Sequence, residues 1–264
     1  MVSVTSGAGL RPRAYVRVQG PDAVDYLERM LSNDVPTEGA ADALLLTAKA
    51  RVIAPLLVWR RGDDDVLLLT EPELGEVVRV HLTRMRFAAR CEIELEEHVS
   101  TIVLDGGEGI PNRDYGRPAV EVLDAQIEAT LSAEELERLR IEAGTPRYGR
   151  EIDDRVLPAE AGLDERAISF SKGCYPGQEP VARQHYRGKV NRRLRILALD
   201  GDTPAPETPV VHEGKDVGRV TSAVPGVALA YVRVSVPEDA VLDVGGGTAR
   251  LKPGAATLAS SPRP

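Results

Sequence analysis

The sequence predicts an α+β fold that ends in a small antiparallel β-barrel, and three observations carry that reading. Strand and helix patterns run strand–helix–strands–helix–strands–helix over the first 150 or so residues, without the regular βαβ alternation of a parallel sheet. From Val190 onward the pattern changes to short strands separated by Gly, Pro and Asp turns, the mark of a small barrel. The chain has 264 residues and is 42% hydrophobic but only 4% aromatic, so its core must be built from aliphatic side chains. The expected organisation is a body over residues 1–189, a barrel over 190–252 and a loosely held tail over 253–264.

Ala14 to Val18 alternates as a strand and ends at Gly20-Pro21-Asp22. A helix follows with Val24, Leu27, Met30 and Leu31 on one face, stopped by Ser32-Asn33-Asp34. Leu44–Thr47, Val52–Trp59 and Val66–Thr70 read as strands around polar turns. Leu74, Val77, Val78, His81, Leu82 and Met85 recur at helical spacing, which makes His81 a partly buried stripe residue. Cys91–Leu95, Thr101–Leu104 and Ala119–Leu123 are further strands, with Cys91 a small core residue. Asp105–Gly109 is too acidic, and lacks the following helix, for a phosphate cradle. Ser132-Ala133-Glu134-Glu135 is a capping box, and the helix it opens should stop at Gly144. Five strands are expected beyond Val190: Arg195–Leu199, Val210-Val211, Val217–Thr221, Ala228–Val234 and Ala249–Leu251.

The formal net charge is −8, which argues against nucleic-acid binding through the overall field. Six basic residues and no acid lie between Val181 and Arg195, a local concentration suited to an acidic partner or to a solvated strand edge. The two cysteines, Cys91 and Cys174, form neither a disulfide framework nor a CxxC pair, which fits a reducing cytoplasm. No apolar run approaches the ~18 residues of a membrane span, and the N-terminus lacks a signal-peptide plan. A cytoplasmic monomer is expected.

Lys172-Gly173-Cys174-Tyr175-Pro176-Gly177-Gln178-Glu179 is the stretch where chemistry is expected. Its glycines and proline shape a tight loop around Cys174. A short helix then starts at Pro180, in the first helical position, so that its positive end and Lys172 favour the thiolate. A cysteine packed under a turn is the competing reading. Cys174 and His185 could form a thiol–imidazole pair, but they cannot by themselves supply the four ligands of a stable metal or cluster site. No metal site is therefore expected from this chain alone.

Two segments resemble a known superfamily. Arg140-Ile141-Glu142-Ala143-Gly144 through Tyr148-Gly149 to Ile152-Asp153 resembles a motif of the glycine-cleavage T-protein (aminomethyltransferase) superfamily. The Lys172–Glu179 stretch resembles the signature of its YgfZ branch, folate-binding proteins linked to iron–sulfur cluster assembly and repair. Gly20–Asp22 and Leu31–Val35 also suit the superfamily. The resemblance implies a ring-like body of intertwined ferredoxin-like units with a central channel for folate. It implies that Arg140 and Glu121, with Tyr148 nearby, contact tetrahydrofolate or a one-carbon derivative. It also implies that Cys174 acts together with Lys172, Gln178, Glu179 and Arg183, serving iron–sulfur enzymes or their assembly proteins. One departure counts against aminomethyl transfer: where the T-protein has an acid, this chain has Ala54 and Pro55, which cannot handle a proton. The expected function is thus a folate-binding accessory factor for iron–sulfur enzymes. The alternatives are a folate-dependent one-carbon transferase and a thiol enzyme.

Overall fold

Tyr15 and Val16 are neighbours on one strand, point to opposite faces as pleating requires, and enter two different cores. That strand, β2 (Ala14–Gln19), organises the body of the molecule. The structure is a computed structural model and describes residues 7–188 and 190–252. The readings made of the extreme N-terminus, of Lys189 and of the 253–264 tail lie outside the described residues.

β2 joins β3 (Ala40–Leu46), β4 (Val52–Arg60), β5 (Asp65–Thr70) and β6 (Glu92–Glu96) in an antiparallel sheet of order β3-β4-β5-β2-β6. The preceding strand, β1 (Ala8–Leu10), belongs to a second sheet with β7 (Ser100–Leu104), β8 (Ile110–Asn112) and β9 (Ala119–Leu123), in order β1-β7-β9-β8. The chain therefore passes from one sheet to the other and back, which intertwines the two units. Their facing sides share Tyr15, Leu57, Leu67, Leu69 and Ile110. Helices α1 (Ala23–Met30) and α2 (Gly75–Met85) cover the outer face of the first sheet through Leu27, Met30, Val78 and Leu82. Helix α3 (Ala133–Ala143) covers the second through Leu136.

The capping box forms as the sequence predicts: Ser132 Oγ accepts from the Glu135 amide, and Glu135 accepts from the Ser132 amide. Gly144 closes α3 in the left-handed conformation at φ 73°. The apolar stripe of α2 is narrower than its spacing suggests. Leu74, Val78 and Leu82 are buried, but Val77 is 46% exposed. The face resting on the sheet is centred on Val78 and Leu82, and Val77, about 100° round the helix from Val78, lies at its edge.

The C-terminal unit is a closed barrel of order β10-β13-β12-β11-β14-β15. Its strands are Arg192–Asp200, Pro209–His212, Lys215–Val224, Val227–Arg233, Val241–Val244 and Gly247–Lys252, numbered β10 to β15 in chain order. The sequence reading missed β14, and in the body it missed β1 and β8. These strands have three or four residues each, too short to display a period. No described helix is long and apolar enough to cross a membrane.

Candidate functional site

The Cys174 loop is held from beneath and open above. Tyr175 and, in the next helix, Val181 are buried in one apolar cluster with Leu44, Val52 and Ile152. Burial pushes the Tyr175 hydroxyl up to about 12. Cys174, one residue earlier, is exposed. Gly177 sits at φ 87°, and a Cβ there would lie 2.6 Å from the Thr47 carbonyl oxygen. Only glycine fits this close approach to the β3–β4 turn. Helix α4 (Gln178–Arg187) starts directly after it. It begins two residues before the expected start, so Pro180 occupies the third helical position. The first amides of a helix have no internal partner, so the missing N–H is harmless there too.

The five residues expected to act together divide into different roles. Lys172 does not face the thiol. Its Nζ donates to the Asn33 carbonyl at 2.5 Å and pairs with Glu28 at 2.8 Å, with the side chain 2% exposed. Gln178 Nε2 donates to the Lys172 carbonyl at 3.3 Å and ties the loop across its base. Glu179 and Arg183 pair with each other at 2.7 Å on the exposed face of α4. Of the five, Cys174 alone has an exposed side chain with no described partner. His185 is stacked on Phe170 with ring centroids 3.9 Å apart, and no hydrogen bond joins it to Cys174 among the described residues. The thiol–imidazole reading is corrected accordingly.

Three of the four cations of the basic run whose side chains are described are paired. Arg183 pairs with Glu179, Arg192 with Glu160 at 3.1 Å, and Arg195 with Glu238. Among its described side chains only Arg193 has no partner.

Arg140 also differs from expectation. It is 2% exposed, and all five of its N–H groups donate to protein acceptors: Glu137 twice, and Glu151, Thr145 and Ser222 once each. No donor remains for a ligand, so Arg140 is a joint between α3 and barrel strand β12. Glu151 completes the joint by accepting from Ser222 Oγ at 2.6 Å, while its carbonyl accepts from the Tyr231 hydroxyl at 2.8 Å. Tyr148 packs between two apolar clusters and is a staple of the same segment.

Glu121 is fully buried on β9, and its carboxylate accepts two bonds from Arg13, one from Ser100 and one from Asn112. Four donors saturate it. It lies at the edge of a central cleft lined by β3, β4, the Asn112–Asp114 segment and the Leu163–Ala167 segment. Arg166 spans this cleft, pairing at 2.9 Å with both Asp42 and Asp114, and Arg13 lies 3.6 Å from Asp114. Burial alone would raise the Asp114 carboxyl, but Arg166, Arg13 and Arg11 hold it well below the usual range. The open volume is about 50 Å³, room for a few waters and well below the ~300 Å³ at which small-molecule sites begin. A larger cleft of about 780 Å³ lies between the body and the barrel, with Arg113 and Arg193 on its walls. The sequence reading missed Arg13, Asp42, Asp114 and Arg166. Their only signal is charge, and they meet from distant parts of the chain.

An intertwined two-sheet body jointed to a six-stranded barrel defines the class. The solved aminomethyltransferase T of the glycine cleavage system from Bartonella henselae superposes with a TM-score of 0.80, covering 96% of this chain and 86% of that one, at 19% identity. The chain belongs to the aminomethyltransferase family: the aminomethyltransferase of Moorella thermoacetica is 38% identical over 262 residues, spanning 78% of this chain and 71% of the relative. Residues 191–257 match the CAF17 C-terminal beta-barrel domain. The mitochondrial iron-sulfur cluster assembly factor IBA57 homolog of Pyricularia oryzae is 23% identical over 283 residues, spanning 88% of this chain and 73% of the relative.

Proposed function

We propose that this protein is an accessory factor in iron–sulfur cluster assembly or repair, and that Cys174 is its acting group. The observation that carries the proposal is the loop itself. A free thiol is held out to solvent by a buried tyrosine beside it, a glycine that admits no side chain and a lysine bonded beneath it. The likeness to iron-sulfur cluster assembly factors supports the choice of chemistry. Among the described residues no group of three or more His, Cys, Asp or Glu is placed to hold a metal ion. A cluster on Cys174 therefore takes its other ligands from a partner protein or a small thiol. The cluster is cargo in this reading. Cys174 contributes one thiolate, and the loop fixes where that thiolate sits.

Tetrahydrofolate, or a one-carbon derivative, is a second ligand to consider because of the aminomethyltransferase relationship. The body–barrel cleft favours it on size, since small-molecule sites commonly measure ~300–1,000 Å³. Arg113 and Arg193, which have no described partner, would face its carboxylates. Neither Ala54 nor Pro55 offers an acid for aminomethyl transfer, so the folate would serve as a bound ligand of an accessory factor.

The test is genetic. In a strain lacking the gene, activity of cluster-containing enzymes should fall, and the wild-type gene should restore it. Cys174→Ala, expressed at the same level, should not. Full restoration by Cys174→Ala would remove the proposal.

A further inference from the structure

We infer that the centre of the two-sheet body in this chain is not a folate site but the anchor of the Cys174-bearing segment, with Arg166 as its positioning residue. The residues that a ligand there would need are committed to the protein. Glu121 is saturated by Arg13, Ser100 and Asn112, and Arg140 by Glu137, Thr145, Glu151 and Ser222. The remaining space of about 50 Å³ is bridged by Arg166 between Asp42 and Asp114. A guanidinium that grips two carboxylates from separate elements fixes its own backbone in place.

That backbone leads to the thiol. Arg166 stands six residues before Lys172 in a segment with no helix or strand of its own. The segment is fastened along its length. Arg166 grips Asp42 on β3 and Asp114 after β8. Next, Ser32 Oγ donates to the Ala167 carbonyl at 2.6 Å, and the Ser169 amide donates to the Ser32 carbonyl at 2.9 Å. Finally, Lys172 reaches Asn33 and Glu28. Arg166 and Lys172 are the two charged ends of this row, and Arg166 alone is held by carboxylates from two separate elements. The central cleft thus sets where the Cys174 loop begins.

The significance of the anchor rests on the reading of Cys174 above, but its test does not. Hydrogen exchange is measured on the full chain, wild type and Arg166→Leu, with and without 5-formyltetrahydrofolate. In the folded variant the amides of Ala167 and Ser169 should exchange on the order of tenfold faster, while those of α2 keep their wild-type rates. Unchanged exchange at Ala167 and Ser169 would overturn the anchor. Folate added to the wild type should leave residues 42–46 and 112–114 unprotected, whatever happens in the body–barrel cleft. Protection of those residues would overturn the reassignment. Asp42→Asn, which removes one arm of the grip, serves if Arg166→Leu does not fold, and the same two outcomes apply to it.

Discussion

Arg140 Nη1 lies 2.9 Å from Glu151 Oε2, with the two side chains 2% and 0% exposed, and both groups also bond Ser222 of the barrel. This contact joins the body to the barrel. Its removal has a defined consequence. Arg140→Leu leaves Glu151 fully buried without its cation, while Glu137 keeps Arg147, and should destabilise the protein by ~3–5 kcal/mol. Ser222→Ala removes one hydroxyl from the same network and should cost ~1–3 kcal/mol. Urea unfolding measures both. A loss under ~1 kcal/mol for Arg140→Leu would show that the joint is not where stability resides.

Gly177→Ala tests the close approach beneath the Cys174 loop. The new methyl would meet the Thr47 carbonyl oxygen at 2.6 Å, from a backbone at φ 87°. Strain from the backbone and the contact together should amount to ~2 kcal/mol or more. The thermal midpoint should fall, and restoration of cluster-enzyme activity should weaken with it. A wild-type midpoint would refute the proposed contact.

Lys172→Met separates support from chemistry. The substitution keeps the aliphatic stem and removes the ammonium that bonds Asn33 and Glu28. Cys174 should still react with a thiol reagent, because it is already exposed. Restoration of enzyme activity should nevertheless drop, because the loop loses its tie. Equal restoration by Lys172→Met and wild type would show that the tie is dispensable.

His98 gives a pH-dependent signature away from the site. Its Nδ1 meets Asp124 at 2.6 Å and its Nε2 meets Glu96 at 2.9 Å, bridging the ends of β9 and β6. Burial lowers its affinity for a proton, but the bonds to Glu96 and Asp124 outweigh it and the net direction is up from 6.5. A group whose affinity for protons rises on folding contributes stability that is fully present below its unfolded pKa. That stability is lost as pH rises through the folded value. The difference in thermal midpoint between wild type and His98→Gln should therefore be largest just below pH ~6.5 and shrink above it. A difference that grows with pH would contradict the bridge.

Much of the fold was legible because it rests on local chemistry. The capping box at Ser132, the glycine stop at Gly144 and the strand over Ala119–Leu123 each follow from a few adjacent residues. The loop around Cys174 was legible for the same reason. The polar interior was not. A ligand-binding arginine and a buried structural one are the same letter, and what distinguishes Arg140 is Ser222, 82 residues away. Arg166 and Asp42 are separated by 124 residues, and no periodicity links them. Lys172 was expected beside the thiol because it is near in sequence, yet its stem runs the other way, to the end of α1.

The central claim is that Cys174 supplies a ligand to a cluster shared with another molecule. The direct measurement is the visible circular dichroism of a cluster-loaded carrier protein mixed anaerobically with this chain, wild type or Cys174→Ser. Wild type should change the cluster spectrum and co-elute with iron and carrier, while Cys174→Ser leaves the carrier's spectrum unaltered. The same spectral change with Cys174→Ser would contradict the account.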